Sequence, residues 1–242
     1  YSFESAEPYT FRVLEAVCTK GSCTIKRANL RELCGPEFEA ATFACSDHRL
    51  NRIYRSAVES LRQNALDSFY DCPSRERAGW LCDSFFTART AFLLSGSTGI
   101  EEDFLENFLL PDSVPGVPQG MLPMCYPSDH PDGVFIPQWS LWLILQLHEF
   151  PRRSGDSELV RRFEPKLTAL LNWFKGYENE DGLLEKLPGW NFIEWSKANE
   201  WVQEVHYPTN MLYARVLDCF SELYGSRSTR SKAARIRRKV HE

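Results

Sequence analysis

The feature that most constrains the fold of this chain is a series of amphipathic helix patterns that begins near Ser46. In the first pattern, apolar residues recur at the i, i+3, i+4, i+7 spacing of one helix face, at Leu50, Ile53, Tyr54, Ala57, Val58 and Leu61. Ser46 or Asp47 provides the N-cap. Further patterns predict helices near 83–95, 100–109, 138–150, 157–177 and 209–224. About six helices and almost no strand predict a mainly α fold.

The first 45 residues have a different pattern. Alternating β-branched and aromatic residues surround the turn sequence TKGS, which is typical of strands. Because these strands are too few for a domain, we interpret residues 1–45 as the β-rich tail of a preceding β-sandwich or as a linker, and residues 46–242 as the helical domain. The chain starts without Met and inside what reads as a strand, so we expect a fragment or a processed piece of a longer protein.

Composition narrows the classes of partner. A net charge of -5 argues against nucleic acid, which needs a surplus of Lys and Arg on one face. The basic run RSTRSKAARIRRKVHE is read as a solvated helix end. No stretch approaches the roughly 20 apolar residues that span a bilayer, so we expect no membrane partner. The sequence does not indicate the cellular compartment of the protein.

The eight cysteines form no C-x-x-C pair and no Cys/His cluster at zinc spacing. We therefore predict no metal site and no cofactor. Their apolar settings favour buried thiols, while a disulfide between Cys18 and Cys23 across a hairpin remains an alternative.

Two stretches are predicted to be irregular. The first, between Leu110 and Pro137, is rich in proline, and long loops of this kind often line functional sites. The second mixes tryptophans with glutamates, at Trp190, Trp195, Trp201, Glu194, Glu200 and Glu204. Indole faces stack on sugar rings and carboxylates bind sugar hydroxyls. Buried tryptophans in a turn between helices are the alternative.

The densest concentration of reactive groups is the stretch YDCPSRERAGWLCDSF, which holds Asp71, Glu76 and Asp83 beside two arginines and Trp80. Carboxylates brought together raise one another's pKa, and a nearby indole adds desolvation. One carboxyl could therefore stay protonated near neutral pH and serve as a general acid, with the arginines holding the others ionised. A structural knot of salt bridges is the competing interpretation.

The string DCPSRERAGWLCD closely resembles the signature of the α-L-rhamnosidases of glycoside hydrolase family 78, and the resemblance is specific over about residues 43–95. It implies an (α/α)6 barrel and an inverting glycosidase with a terminal α-L-rhamnoside as substrate. By similarity Glu76 is the general acid. The implied substrate-binding residues are Asp71, Arg75, Trp80, Asp83, Trp139, Glu194 and Trp195. The chain departs from the family pattern at Gln138 and Glu194, where Asp is more common, and at Leu81-Cys82, where Thr-Gly is more usual.

Inversion also requires a general base, placed roughly 6.5–9.5 Å from the acid. The family places this glutamate in the later half of the barrel, and six helices are about half a barrel, so we expect the base outside this chain. We expect the chain alone to be inactive, and to be completed by the remainder of the parent chain or by self-association. The alternatives are a non-catalytic carbohydrate-binding remnant and another (α/α)6 glycosidase of the trehalase or glucoamylase type.

Overall fold

A computed structural model describes residues 4–5, 7–128, 132–201 and 204–242, without the side chain of Trp201. This described part forms seven α-helices and one short 3-10 helix, Lys197–Trp201. The α-helices are α1 (His48–Asn64), α2 (Asp83–Ser95), α3 (Gly99–Asn107), α4 (Pro137–Ser154), α5 (Glu158–Lys175), α6 (Tyr207–Tyr224) and α7 (Arg227–His241). The prediction of a mainly α fold is confirmed.

Six of these helices pair as three hairpins, α2–α3, α4–α5 and α6–α7, each joined by a short link. Every link begins with a glycine in the left-handed region, Gly96, Gly155 and Gly225, at φ of 69°, 75° and 73°. Glycine adopts this conformation without a Cβ clash and ends the preceding helix. Long connections, residues 108–136 and 176–206, separate the hairpins from one another.

The first helices of the three hairpins run parallel. Ser84 near the start of α2 bonds Gln146 of α4, and Arg89 one turn further bonds Glu149. Between α4 and α6, the first turns meet through Gln138 and Thr209, and further along the two helices His148 meets Glu222. The N-terminal ends of α4 and α6 therefore lie side by side, and the segment that leads into α2 lies at the same end of the bundle.

Helix α4 is the centre of the core. It packs against α2, α5 and α6, and apolar side chains are buried all round it, including Leu141, Leu143, Ile144 and Leu147. The stripe predicted on α5 is likewise buried and includes Leu159, Phe163, Leu167, Leu170 and Phe174. No helix in the described ranges is long and apolar enough to cross a membrane.

The segment predicted to be β-rich forms no strand in its described residues, 4–5 and 7–45. It lies along the helices, with the Gly35 N–H bonded to the Arg62 carbonyl at 2.7 Å and the Ala40 N–H bonded to the Leu94 carbonyl at 2.9 Å. Leu14 and Leu30 remain exposed. Isolated strands lack neighbours for their backbone groups, which explains the missing strands. The domain division after residue 45 stays a prediction.

The basic C-terminal run is a separate helix, α7, and the interpretation as a helix end was wrong. Ala233 and Ile236 bury one face of α7 against the core, and Lys232 pairs with Glu178 at 2.5 Å. All eight cysteines, which lie within the described ranges, are free thiols, so Cys18 and Cys23 are not bonded to each other.

Candidate active site

The stretch with the concentrated carboxylates forms a closed loop directly before α2. The Asp71 N–H bonds the Ala78 carbonyl at 3.2 Å, and the Ala78 N–H returns a bond to the Asp71 carboxylate at 3.0 Å. These two bonds close the 71–78 loop at its ends. Arg75 and Glu76 lie in the part of the loop between them. Asp71 therefore has a structural role in closing the loop, in addition to any role in binding a substrate.

The residues that follow this loop pair with the proline-rich connection. Leu81 N–H bonds the Met124 carbonyl at 3.0 Å, and Tyr126 N–H bonds the Gly79 carbonyl at 3.0 Å. A Cβ on Gly79 would lie 2.5 Å from the Tyr126 carbonyl oxygen, so this close approach requires glycine. The predicted loop between Leu110 and Pro137 thus supports the 71–78 loop, except that its residues 129–131 lie outside the described part.

Glu76 is held by two neighbours. One carboxylate oxygen lies 2.5 Å from the Arg75 guanidinium, and the other accepts a hydrogen bond from the Cys72 thiol at 3.1 Å. The Arg75 bond is the main cause that lowers the pKa of Glu76 to about 2, and the Cys72 and Asp71 bonds contribute. In this chain Glu76 is ionised at neutral pH, which is opposite to the raised pKa that we expected of the acid.

The carboxyl with the raised pKa is instead Asp83, the first residue of α2. Removal of water is the largest cause, and the charge of Asp71 adds to it. In the described part of the chain neither arginine forms an ion pair with Asp71 or Asp83, contrary to our expectation, although the charge of Arg75 interacts with that of Asp71. Arg75 pairs with Glu76, and Arg77 reaches Glu7 and the Pro8 carbonyl. The sequence could not predict this partner choice because residues 7 and 8 are distant along the chain.

Asp71, Cys72 and Glu76 bring three ligand-type atoms within 4.8 Å of one another. Thiolate and carboxylates are ligands that zinc accepts. The Cys72 thiol and the Arg75 guanidinium already satisfy both oxygens of Glu76, so the geometry does not depend on an ion. The expectation of no metal and no cofactor stays a prediction.

A small hydrophobic cluster connects this loop to the rest of the site. Its buried members are Ala78, Met124, Cys125, Ile136 and Phe192, and Trp80 and Trp139 pack against it from the surface. Trp139 lies in the first turn of α4. The structure therefore brings Trp80 and Trp139, two of the predicted site residues, to the same cluster.

Phe192 links that cluster to two further tryptophans. The centroid of its ring lies 5.0 Å from Trp139, 5.4 Å from Trp190 and 5.0 Å from Trp195. We call these four side chains the Phe192 group. Trp195 is 84% exposed, so much of its indole is open to solvent. Glu194 beside it is also exposed, and its backbone carbonyl accepts a bond from Asn199.

Behind the Phe192 group lies a buried polar network that the sequence did not indicate. Its members are Gln138, Asn191, His206 and Thr209. Burial lowers the pKa of His206 to about 4, so the network is uncharged near neutral pH. No sequence pattern indicates it, because Gln138 lies more than 50 residues before the other three members.

The comparisons with known proteins agree with the geometry. The model of the bacterial alpha-L-rhamnosidase 6 hairpin glycosidase domain matches residues 38–238, which is most of the chain. The chain belongs to this family. The three hairpins α2–α3, α4–α5 and α6–α7 are half of the six that the family's name specifies, so the prediction of part of an (α/α)6 barrel is confirmed.

Solved structures of similar fold are rhamnosidases. A GH78 family rhamnosidase of Bacillus sp. GL1 aligns with a TM-score of 0.71 and 24% identity, over 84% of this chain and 21% of its own. A rhamnosidase from Klebsiella oxytoca with rhamnose bound aligns with a TM-score of 0.67 and 19% identity, over 86% of this chain and 40% of its own.

The alpha-L-rhamnosidase of Aspergillus terreus aligns with a TM-score of 0.62 and 18% identity, over 86% of this chain and 25% of its own. This chain therefore spans less than half the length of each of these three proteins. Comparison with curated proteins gives no significant match.

Proposed function

We propose that this chain is the N-terminal half of the catalytic barrel of an inverting α-L-rhamnosidase, in which Glu76 is the general acid. The observation that supports this role most is the placement of Glu76 on the closed 71–78 loop, whose last residue packs in the cluster that also carries Trp80 and Trp139. A sugar bound against these indoles would lie close to the carboxyl group.

In the proposed reaction Glu76 gives its proton to the glycosidic oxygen. The bond between the anomeric carbon and that oxygen then breaks, and its electron pair stays on the oxygen. Water attacks the anomeric carbon from the opposite face and passes a proton to a base. The base is a carboxylate that this chain does not contribute, so the remainder of the parent chain is the proposed partner.

Because the pKa of Glu76 is low, this role requires that substrate binding raise it. A general acid works best when its pKa lies near the working pH. Arg75 is the main cause of the low value and is 82% exposed, so it is free to move from Glu76 to a sugar hydroxyl. Burial of Glu76 under the bound sugar would then raise its pKa.

The other predicted residues keep binding roles in this proposal. Asp71 and Asp83 accept hydrogen bonds from rhamnose hydroxyls, and Asp83 lies at the N-terminus of α2. Trp80 and Trp139 shape the pocket, while Glu194 and the exposed Trp195 contact the sugar from the second long connection.

Substitution of Glu76 by Gln in the complete protein that carries this chain tests the proposal. We expect hydrolysis of an α-L-rhamnoside whose leaving group is a weakly acidic alcohol to fall by about 10²–10⁴, because the amide cannot donate the proton. The matched control is Glu102→Gln, an exposed glutamate in the first turn of α3, which should keep wild-type kinetics. Activity of Glu76→Gln within a few-fold of wild type on this alcohol substrate would refute the acid assignment.

The ionised state of Glu76 favours one alternative, a carbohydrate-binding domain without catalysis. Such a protein would bind rhamnose, as measured by calorimetry, and would show no turnover in its complete form. Turnover of an α-glucoside in place of a rhamnoside would favour a different (α/α)6 glycosidase.

A further inference from the structure

Gln138 is a buried glutamine whose side-chain amide makes three hydrogen bonds. It lies in the first turn of α4 and is 4% exposed. Its amide nitrogen donates to the Asn191 side-chain oxygen at 3.0 Å and to the Thr209 hydroxyl at 3.0 Å. Its amide oxygen accepts from the Phe192 backbone N–H at 3.3 Å. Both donor hydrogens and one acceptor position are therefore occupied.

These bonds fix a segment that has no regular structure of its own. Asn191 and Phe192 follow the turn at Gly189 and belong to no helix. A buried backbone N–H such as that of Phe192 needs an acceptor, and Gln138 supplies one. Asn191 is held further by its own bond to the Leu187 carbonyl at 2.6 Å. Gln138 thereby ties residues 191 and 192 to the start of α4.

The position of Phe192 in turn sets the position of Trp195. The Phe192 ring packs edge-on against Trp139 and Trp195, with 5.0 Å between centroids in each case. Trp195 is mostly exposed, and it also contacts Trp190, whose ring centroid lies 5.7 Å away and which itself packs on Phe192. A shift of the Phe192 backbone would therefore move the indole of Trp195 relative to Trp139.

In the observed network the amide of Gln138 acts as the donor. Asn191 and Thr209 both accept from Gln138, and a carboxylate could not donate to either of them. His206, on the far side of Thr209, is neutral because it is buried, and its ring nitrogen Nδ1 contacts the Thr209 hydroxyl. The hydrogen bonds among Gln138, Asn191 and Thr209 restrict the movement of these side chains, while His206 Nε2 is buried without a hydrogen-bond partner.

We propose that Gln138 is a positioning residue for sugar binding, which acts through the backbone of residues 191–192 to hold Trp195 where it stacks on the sugar ring. This inference rests on the proposed function. Gln138 does not itself touch the substrate in this account, and its effect is on binding rather than on the chemical step.

The test substitutes Gln138 by Met, which has similar volume and no hydrogen-bonding amide, in the complete protein. The matched control is Gln146→Met. Gln146 is an equally buried glutamine two turns further along α4, and it bonds Ser84 and Glu101 away from the Phe192 group. We expect Gln138→Met to raise KM for an aryl α-L-rhamnoside about tenfold while kcat changes less than about threefold. Gln146→Met should lower Tm similarly and leave KM unchanged.

Two further measurements separate positioning from general destabilisation. Hydrogen exchange should accelerate in the peptide that covers 187–196 in Gln138→Met and not in Gln146→Met. In a Trp195→Ala background, Gln138→Met should add little to KM, because the two changes remove the same contact with the sugar. Additive effects on KM would contradict the route through Trp195.

Failure of this inference is distinguishable from failure of the proposed function. An unchanged KM and unchanged exchange in Gln138→Met, with Glu76→Gln inactive, would overturn the positioning role alone. A wild-type protein that neither binds nor hydrolyses a rhamnoside would overturn the proposed function and, with it, the sugar-binding part of this inference.

Discussion

Two ion pairs between arginine and glutamate differ more than their similar lengths suggest. Arg153 and Glu101 lie 2.6 Å apart with 10% and 2% of their side chains exposed, and Arg75 and Glu76 lie 2.5 Å apart with 82% and 18% exposed. The first pair joins α3 to α4, and Gln146 and Glu149 complete its hydrogen bonds. The second joins adjacent residues on a loop.

The two pairs differ in the free-energy cost of separating their charges. Separation of Arg153 from Glu101 would leave a charge buried among helices, which is strongly unfavourable. Separation of Arg75 from Glu76 costs little, since an exposed guanidinium regains its water. The first pair is therefore suited to stability. The second leaves its carboxylate available for a different partner, as a catalytic acid requires.

The largest effect is expected from Arg153→Met, which removes the main partner of a buried carboxylate. The free energy of unfolding should fall by about 3–5 kcal/mol, as observed when one member of a buried pair is removed. Urea denaturation of the complete protein, followed through the helical signal of this domain, measures it. The double variant Glu101→Gln with Arg153→Met should recover part of the loss, and no recovery would argue against the buried charge as the cause.

A smaller effect is expected from Gly79→Ala at the base of the 71–78 loop. The new Cβ would lie 2.5 Å from the Tyr126 carbonyl oxygen, so the pairing with residues 124–126 must shift, at a cost of about 1–3 kcal/mol. Activity on the aryl rhamnoside should fall with it. Gly99→Ala is the control, because its Cβ meets only Ser97 Oγ at 3.7 Å and alanine favours the helix. Equal losses of stability in Gly79→Ala and Gly99→Ala would contradict a special requirement for glycine at position 79.

The smallest effect on stability is expected from Arg75→Gln. Arg75 lowers the pKa of Glu76 to about 2, so its removal should raise that pKa toward the ordinary value. A lowered carboxyl pKa adds stability above the unfolded pKa of about 4.5, and this is lost as pH falls toward about 2. The variant should therefore lose little stability at neutral pH, because the exposed pair is screened by water. Carbon-detected NMR titration of Glu76 measures the pKa, and an unchanged value would remove Arg75 as the cause.

Local patterns predicted the helices well because each helix buries one face. The helix predicted near 83–95 is observed as Asp83–Ser95, and the other predicted helices agree within a few residues. Helix α7 was missed as a separate element because only Ala233 and Ile236 bury its face and the rest is polar. The strands predicted before residue 45 were absent because strand patterns need partners that this segment lacks.

The candidate site was predictable only where its residues lie in one short stretch of sequence. Asp71, Glu76, Trp80 and Asp83 lie within 13 residues of sequence, on the local 71–78 loop and the segment from it into α2. The contact of Trp139 with Phe192 and the bonds of Gln138 depend on how α4 and α6 pack. The low pKa of Glu76 depends on which neighbour Arg75 selects, and no sequence pattern specifies that choice.

The central claim, that Glu76 donates the proton to the leaving group, is tested most directly by the dependence of the rate on that group. Glu76→Gln and wild type would be compared in the complete protein on a rhamnoside of a strongly acidic phenol and on one of a weakly acidic alcohol. We predict a loss of about 10²–10⁴ on the alcohol and less than about tenfold on the phenol, which departs without a proton. Equal losses on both substrates, or no loss on either, would contradict the account.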